Sequence, residues 1–243
     1  MNRFDEADDP RRRLLIQALA AGLFTTGLPG GRALAADIFG STPSKLPVGQ
    51  SIYRISGKVL VNGNAAAIET RIGANDTVET PKDGEIVFVV GGNAMILRGG
   101  SRVELRAEQK ESVFISGLRL LTGKLLSVSR NRPMRVTTLV ATIGIRGTGW
   151  YLEADPEQAY FCTCYGTADV AASNDPESKE TVVSKHHDRP LYILATSAPG
   201  RSIRHAPFIN HTDQELMLIE ALVGRVPPFV FPKDGYTGPR RDY

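Results

Sequence analysis

The sequence predicts an all-β protein, a two-sheet sandwich or a short β-solenoid, with a small C-terminal extension of strands and one helix. Three observations lead there. From residue 51 to about 172, apolar runs of roughly five residues alternate with turn signals every 8 to 12 residues, the rhythm of sandwiches and barrels. Over that span no helical period appears. Glycine (24) and proline (15) are plentiful, as suits a turn-rich chain. The 243 residues allow one large or two small domains with a proper core. A formal net charge of +3 gives no sign of a nucleic-acid surface, which needs Lys and Arg gathered on one face.

The first 35 residues read as a targeting segment rather than as fold. Arg11-Arg12-Arg13 precedes Leu14-Leu15 and an Ala-, Leu- and Gly-rich run to Leu28. Ala33-Leu34-Ala35 then supplies the small residues a signal peptidase reads, with cleavage expected near Ala35. Arg11 and Arg12 before two leucines are similar to the twin-arginine export signal. Fifteen apolar positions interrupted by Gly and Thr fall short of the roughly 20 that a bilayer helix needs. The expectation is a mature chain in the periplasm, with no transmembrane segment.

Residues 36–50 form an extended leader holding Pro43 and Pro47. Lys58–Asn62 is a strand ending in the hairpin signal Asn62-Gly63-Asn64. Asp76–Thr80, Glu85–Val90 and Ala94–Arg98 follow, parted by Gly84, Gly91-Gly92 and Gly99-Gly100. Arg102–Arg106 alternates, with Val103 and Leu105 on one face. Val113–Ile115 comes next, then Leu118–Leu121 and Lys124–Val128, which Gly123 divides. Val136–Ile143 alternates as a strand. A corner is expected at Gly144, Gly147 and Gly149, before a second strand anchored by Trp150, the only tryptophan. Arg146, Thr148 and the three glycines make this corner a structural or partner-binding feature. Arg146 reads first as a guanidinium pairing a carboxylate. The order Gly-x-x-Gly-x-Gly, with no helix after it, excludes a dinucleotide loop.

Several of these stretches resemble the FecR domain. They are Gly57–Gly63, Asp76–Thr80, Gly84–Val89, Leu118–Leu126 and, most specifically, Arg135–Thr148 with its Gly-Ile-Arg-Gly-Thr core. The resemblance covers roughly residues 50 to 153. It implies a FecR-like, periplasmic, mainly β domain over 51–153, followed by the extension over 154–243. In the namesake protein such a domain relays the state of an iron-siderophore receptor to a cytoplasmic sigma factor. What is carried over is the fold, the compartment and a binding or sensing role, in iron-related or envelope signalling, with another periplasmic or envelope protein as partner. The namesake's cytoplasmic anti-sigma region is not expected in this chain.

Chemistry concentrates in the extension. Cys162 and Cys164 are the only cysteines, and all four histidines lie downstream of them, at 186, 187, 205 and 211. Two residues apart on a strand, the thiols share one face. A disulfide between them would close a strained ring. Two thiolates with histidines suit a soft or borderline ion such as zinc or copper, and the candidate ligands are Cys162, Cys164, His186, His187 and His211. On an extended strand His186 and His187 would face opposite sides. The bland alternative is two buried thiols and surface histidines. No nucleophile elbow, His-Glu-x-x-His helix or phosphate loop is present, so an enzyme is not expected.

Arg189–Leu194 is a further strand. Thr212-Asp213-Gln214-Glu215 is a capping box opening a helix over about 212–223, which Gly224 closes. Residues 227–232 are Pro-rich and extended, covering a sheet edge or else offering a peptide to a partner, and the last residues read as a polar tail.

Overall fold

The computed structural model describes residues 43–108, 115–129 and 133–229. The chain divides into two compact units, 1–43 and 44–243. Of the first, only Pro43 is among the described residues. The targeting segment with Arg11, Arg12, Ala33 and Ala35, residues 36–42 of the leader, most of the strand expected at Val113–Ile115, and the residues from 230 on with the polar tail lie outside them.

The second unit is all-β with one short helix among the described residues. Its strands are β1 (Ile52–Ser56), β2 (Leu60–Val61), β3 (Asn64–Ala65), β4 (Thr77–Thr80), β5 (Glu85–Val90), β6 (Asn93–Leu97), β7 (Ser101–Arg106), β8 (Gly117–Val128), β9 (Pro133–Thr137), β10 (Ala141–Ala154), β11 (Gln158–Ala172), β12 (Lys179–Ser184), β13 (Leu191–Leu194) and β14 (Ile203–His205). The helix, α1, spans Asp213–Leu222. All fourteen strands join one hydrogen-bonded network in the order β14-β13-β11-β10-β9-β8-β7-β4-β2-β3. β12 pairs with β11, while β1, β5 and β6 attach in turn to β8.

Local chemistry explains the elements. Asn62 and Gly63 both take positive φ, 51° and 81°, as a two-residue hairpin turn between β2 and β3 requires. Thr212 caps α1. Its hydroxyl accepts from the Glu215 amide at 3.3 Å, and the Glu215 carboxylate accepts from the Thr212 amide at 3.0 Å. At the other end Gly224 has φ +72°, and the Gly224 and Arg225 amides bond to the Ala221 and Glu220 carbonyls. That pattern is a Schellman closure.

Two expectations need correction. Gly123 does not divide two strands. β8 runs through it with φ +94°, pairing it with Ala154 of β10, and the bulge in the ladder to β7 falls on Leu121, opposite Arg102/Val103, rather than on the glycine. Nor does the chain turn at Gly144, Gly147 and Gly149. The turn comes earlier, at Thr138–Val140, where the Thr138 hydroxyl accepts from the Val140 and Ala141 amides. β10 then continues for 14 residues. The glycines mark the place where β10 changes neighbour, from β9 over Thr142–Arg146 to β8 over Gly149–Ala154. Gly147, at φ +64°, carries the bulge opposite β11. Gly149 lets the Tyr165 ring lie on the backbone, since a Cβ there would come within 2.4 Å of it.

Strand alternation sorts the side chains into two cores. Ile86, Phe88, Leu97, Trp150, Leu152 and Phe161 belong to the larger one. Their sequence neighbours Val87, Ile96, Tyr151, Tyr160 and Cys162 point to the opposite face and form a second. That second face is covered by Leu216, Ile219 and Leu222 of α1, with Ala206, Phe208 and Ile209 before the helix. Burying each such aliphatic chain contributes about 1.5–3 kcal/mol. The extension is thus the lid of the second core, and the cysteines lie beneath it.

Candidate metal centre

Cys162 and Cys164 sit on β11 with both side chains in the second core and both thiols free. Each is completely buried. Between them Thr163 faces the other way, as strand alternation demands.

His186 and His187 lie in the turn between β12 and β13 rather than on an extended strand. The Asp188 carboxylate accepts from the Lys185 amide at 2.6 Å and the His186 amide at 3.4 Å, which winds the turn. His187 takes φ +55°, a left-handed conformation uncommon for a residue with a side chain. Its amide donates to the Cys164 carbonyl at 2.9 Å, laying the turn against β11. The positive φ overturns the expectation of opposite faces. Instead both rings reach Asp213, with His186 Nε2 at 2.9 Å and His187 Nε2 at 3.0 Å from its carboxylate.

His211 follows Asn210, also left-handed at φ +59°. The Asn210 side-chain amide donates to Glu153 at 2.8 Å, and the Asn210 backbone carbonyl accepts from Arg98. Arg98 in turn grips Glu215 through both carboxylate oxygens, at 2.9 and 3.0 Å. The His211 ring stacks on Tyr151 with centroids 4.5 Å apart. These contacts fix where His211 stands.

The result is a cluster of four donor atoms within 4.8 Å of one another, from Cys162, Cys164, His187 and His211. His187 Nδ1 lies 3.5 Å from Cys162 Sγ and 3.2 Å from His211 Nε2. The outer nitrogens settle the tautomers. A carboxylate accepts only, so His187 Nε2 carries the proton toward Asp213. The Ile209 carbonyl, 2.7 Å from His211 Nδ1, likewise requires a donor there. Neutral rings so arranged turn two lone pairs toward each other, and only a proton or a metal ion between them relieves the repulsion.

The electrostatics follow from burial and from these partners. Burial pushes the Cys162 thiol up, but the hydrogen bond from Cys164 and the neighbouring His211 and His187 outweigh it, leaving the thiol well below its ordinary range. Burial and the bond to Cys162 push Cys164 well up. Burial lowers His187, yet Asp213 and Cys162 raise it to about 9. Both shifts favour a thiolate on Cys162 paired with a protonated His187 over the neutral pair.

Of the five candidate ligands, the structure joins four and sets His186 behind them, on Asp213. His205 is exposed on β14. Sequence reading missed Asp213, taken only as part of a capping box, although His211-Thr212-Asp213 places it two residues from a candidate ligand. The buried partners Arg98, Tyr151 and Glu153 left no signal. In the glycine-rich stretch, Thr148, Gly149 and Trp150 are buried, and Arg146 forms an exposed ion pair with Asp169.

Comparison with known proteins adds little. No family model matches the chain, and no curated protein does. Two crystal structures of a proposed anti-sigma factor from Parabacteroides distasonis are similar at 14% identity and a TM-score of 0.42, over 54% of this chain. The chain spans about 58% of the length of those proteins. They are similar to part of it. No helix among the described residues is long and apolar enough to cross a membrane.

Proposed function

We propose that this chain is an exported binding module that acts by holding a soft or borderline transition-metal ion, zinc or copper, rather than by catalysis. One observation carries the reading: two thiols and two imidazoles from three separate segments converge within 4.8 Å. Buried titratable groups are costly unless paired or bound to an ion, and four metal-ligating side chains gathered at one place fit an ion. The export signal read at Arg11 and Arg12 supports a site of action outside the cytoplasm. A role in envelope signalling, with another periplasmic or envelope protein as partner, is supported by the FecR-domain resemblance alone.

The same atoms also form a chain Cys162–His187–Asp213, which invites comparison with a thiol nucleophile and its base. Burial argues against it. Both sulfurs are fully enclosed, and the His187 side chain is only 6% exposed, so a substrate has no approach to the thiolate.

Native mass spectrometry of protein purified without chelators tests the proposal. One equivalent of metal is expected on the wild type and none on a Cys162→Ala/Cys164→Ala variant whose β spectrum is retained. Equal metal on both proteins, or none on a wild type offered zinc and copper, would overturn it.

A further inference from the structure

Resting on that metal-binding reading, we propose that the ion is zinc. It is held in a closed tetrahedral site by Cys162 Sγ, Cys164 Sγ, His187 Nδ1 and His211 Nε2, with Asp213 as the residue that positions His187.

The donor spacing points to this ion. Zinc bonds of about 2.0–2.1 Å to nitrogen and about 2.3 Å to sulfur, at tetrahedral angles, set nitrogens about 3.3 Å apart and nitrogen and sulfur about 3.6 Å apart. The structure has 3.2 Å between the two imidazole nitrogens and 3.5 Å between His187 Nδ1 and Cys162 Sγ. Both distances around His187 therefore match a zinc site, and the remaining donor pairs lie within 4.8 Å. A tetrahedral set of two sulfurs and two nitrogens is characteristic of zinc, whereas hard ions such as magnesium and calcium take oxygen. Four protein ligands leave no open position. Burial of both sulfurs keeps water from supplying a fifth, so the centre is structural rather than catalytic.

Asp213 completes the design. It is fully buried at the first turn of α1, where the amide ends of the helix favour a negative charge. It binds the imidazole nitrogen facing away from the cluster, at 3.0 Å. An outer carboxylate of this kind fixes the tautomer and orientation of a ligating histidine, and its loss typically weakens metal binding by about 10–100-fold. His186, bonded to the other carboxylate oxygen at 2.9 Å, holds Asp213 in that orientation. The ion then ties β11, the β12–β13 turn and the start of α1 together, fastening the lid over the second core.

The full chain, stripped of metal and titrated with cobalt, provides the test. Cobalt should give the intense d–d absorption of a tetrahedral site with thiolate charge-transfer bands, and one equivalent of zinc should abolish both. Asp213→Asn should weaken zinc about 10–100-fold while keeping the tetrahedral cobalt spectrum, and an unchanged affinity would overturn the role of Asp213. Because that variant could fail to fold, long-range proton–nitrogen spectra of the zinc-loaded wild type give a second reading. A proton on His187 Nε2 with metal on Nδ1 is expected, and the reverse would overturn the assignment. A weak octahedral spectrum, or cuprous ion bound while zinc is refused, sinks the zinc site and leaves the metal-binding reading standing. Failure to bind zinc, cobalt and copper alike sinks both.

Discussion

His187 Nδ1 and His211 Nε2 face each other at 3.2 Å, each ring held by an acceptor on its far nitrogen, Asp213 for one and the Ile209 carbonyl for the other. Two lone pairs so placed need a cation between them. Which cation is present decides the proton count. In the metal-free chain His187 keeps its proton to about pH 9, and Cys164 is held protonated well above the ordinary thiol range. Zinc displaces both, so uptake at pH 7 should release about two protons. Calorimetry in buffers of different ionisation enthalpy reads this number, and a value near zero would contradict the resting state described here.

The capping of α1 is local and measurable. Thr212→Ala removes the hydroxyl that accepts from the Glu215 amide and should cost about 1 kcal/mol in urea unfolding. Glu215 also holds Arg98, so Glu215→Ala should cost more than Thr212→Ala. Equal losses would mean that the Arg98 contact adds nothing.

The bulge in β10 separates two kinds of glycine. Gly147 needs its positive φ but has open space around it, so Gly147→Ala should cost about 1–2 kcal/mol from backbone strain. Gly149 has an ordinary φ but lies against Tyr165, so Gly149→Ala should cost about 1–3 kcal/mol from overpacking. Trimming the ring in Gly149→Ala/Tyr165→Leu should recover part of the second loss. The same trim should recover none of the first, as chemical denaturation of the two pairs would show.

These glycines also show what the sequence could and could not reveal. Asn62-Gly63 and the Thr212–Glu215 box were legible because their geometry is set by neighbours in the chain. Gly123 and Gly147 look like breaks in sequence, yet each sits inside a long strand. The ladder to the adjacent strand decides that, and it is invisible in one dimension. The candidate site was legible as a set of residue types gathered between 162 and 211. Its convergence was not, because it depends on the left-handed turn at His187 and on a buried acid, Asp213. Composition would have left that acid on the surface.

A separate turn supplies a pH dependence. The Asp175 carboxylate accepts from the Ser178 hydroxyl at 2.6 Å, the Ser202 hydroxyl at 2.9 Å and the Gly200 amide at 3.2 Å. The Ser178 bond foremost holds its carboxyl well below the usual carboxylate range, against the burial that opposes it. A depressed folded-state value means that this stabilisation is fully present above the unfolded carboxyl value of about 4. It is lost as pH falls below that. Asp175→Asn should therefore lower the melting temperature at pH 7 and narrow the gap to wild type toward pH 2. A gap that stays constant with pH would contradict it.

The most direct measurement is X-ray absorption at the zinc edge of the loaded full chain, which counts the atoms bonded to the ion. The account predicts two sulfurs at about 2.3 Å and two nitrogens at about 2.0–2.1 Å, with the sulfur shell lost in Cys162→Ala/Cys164→Ala. A shell of oxygen and nitrogen alone, as an ion on the surface would give, contradicts it.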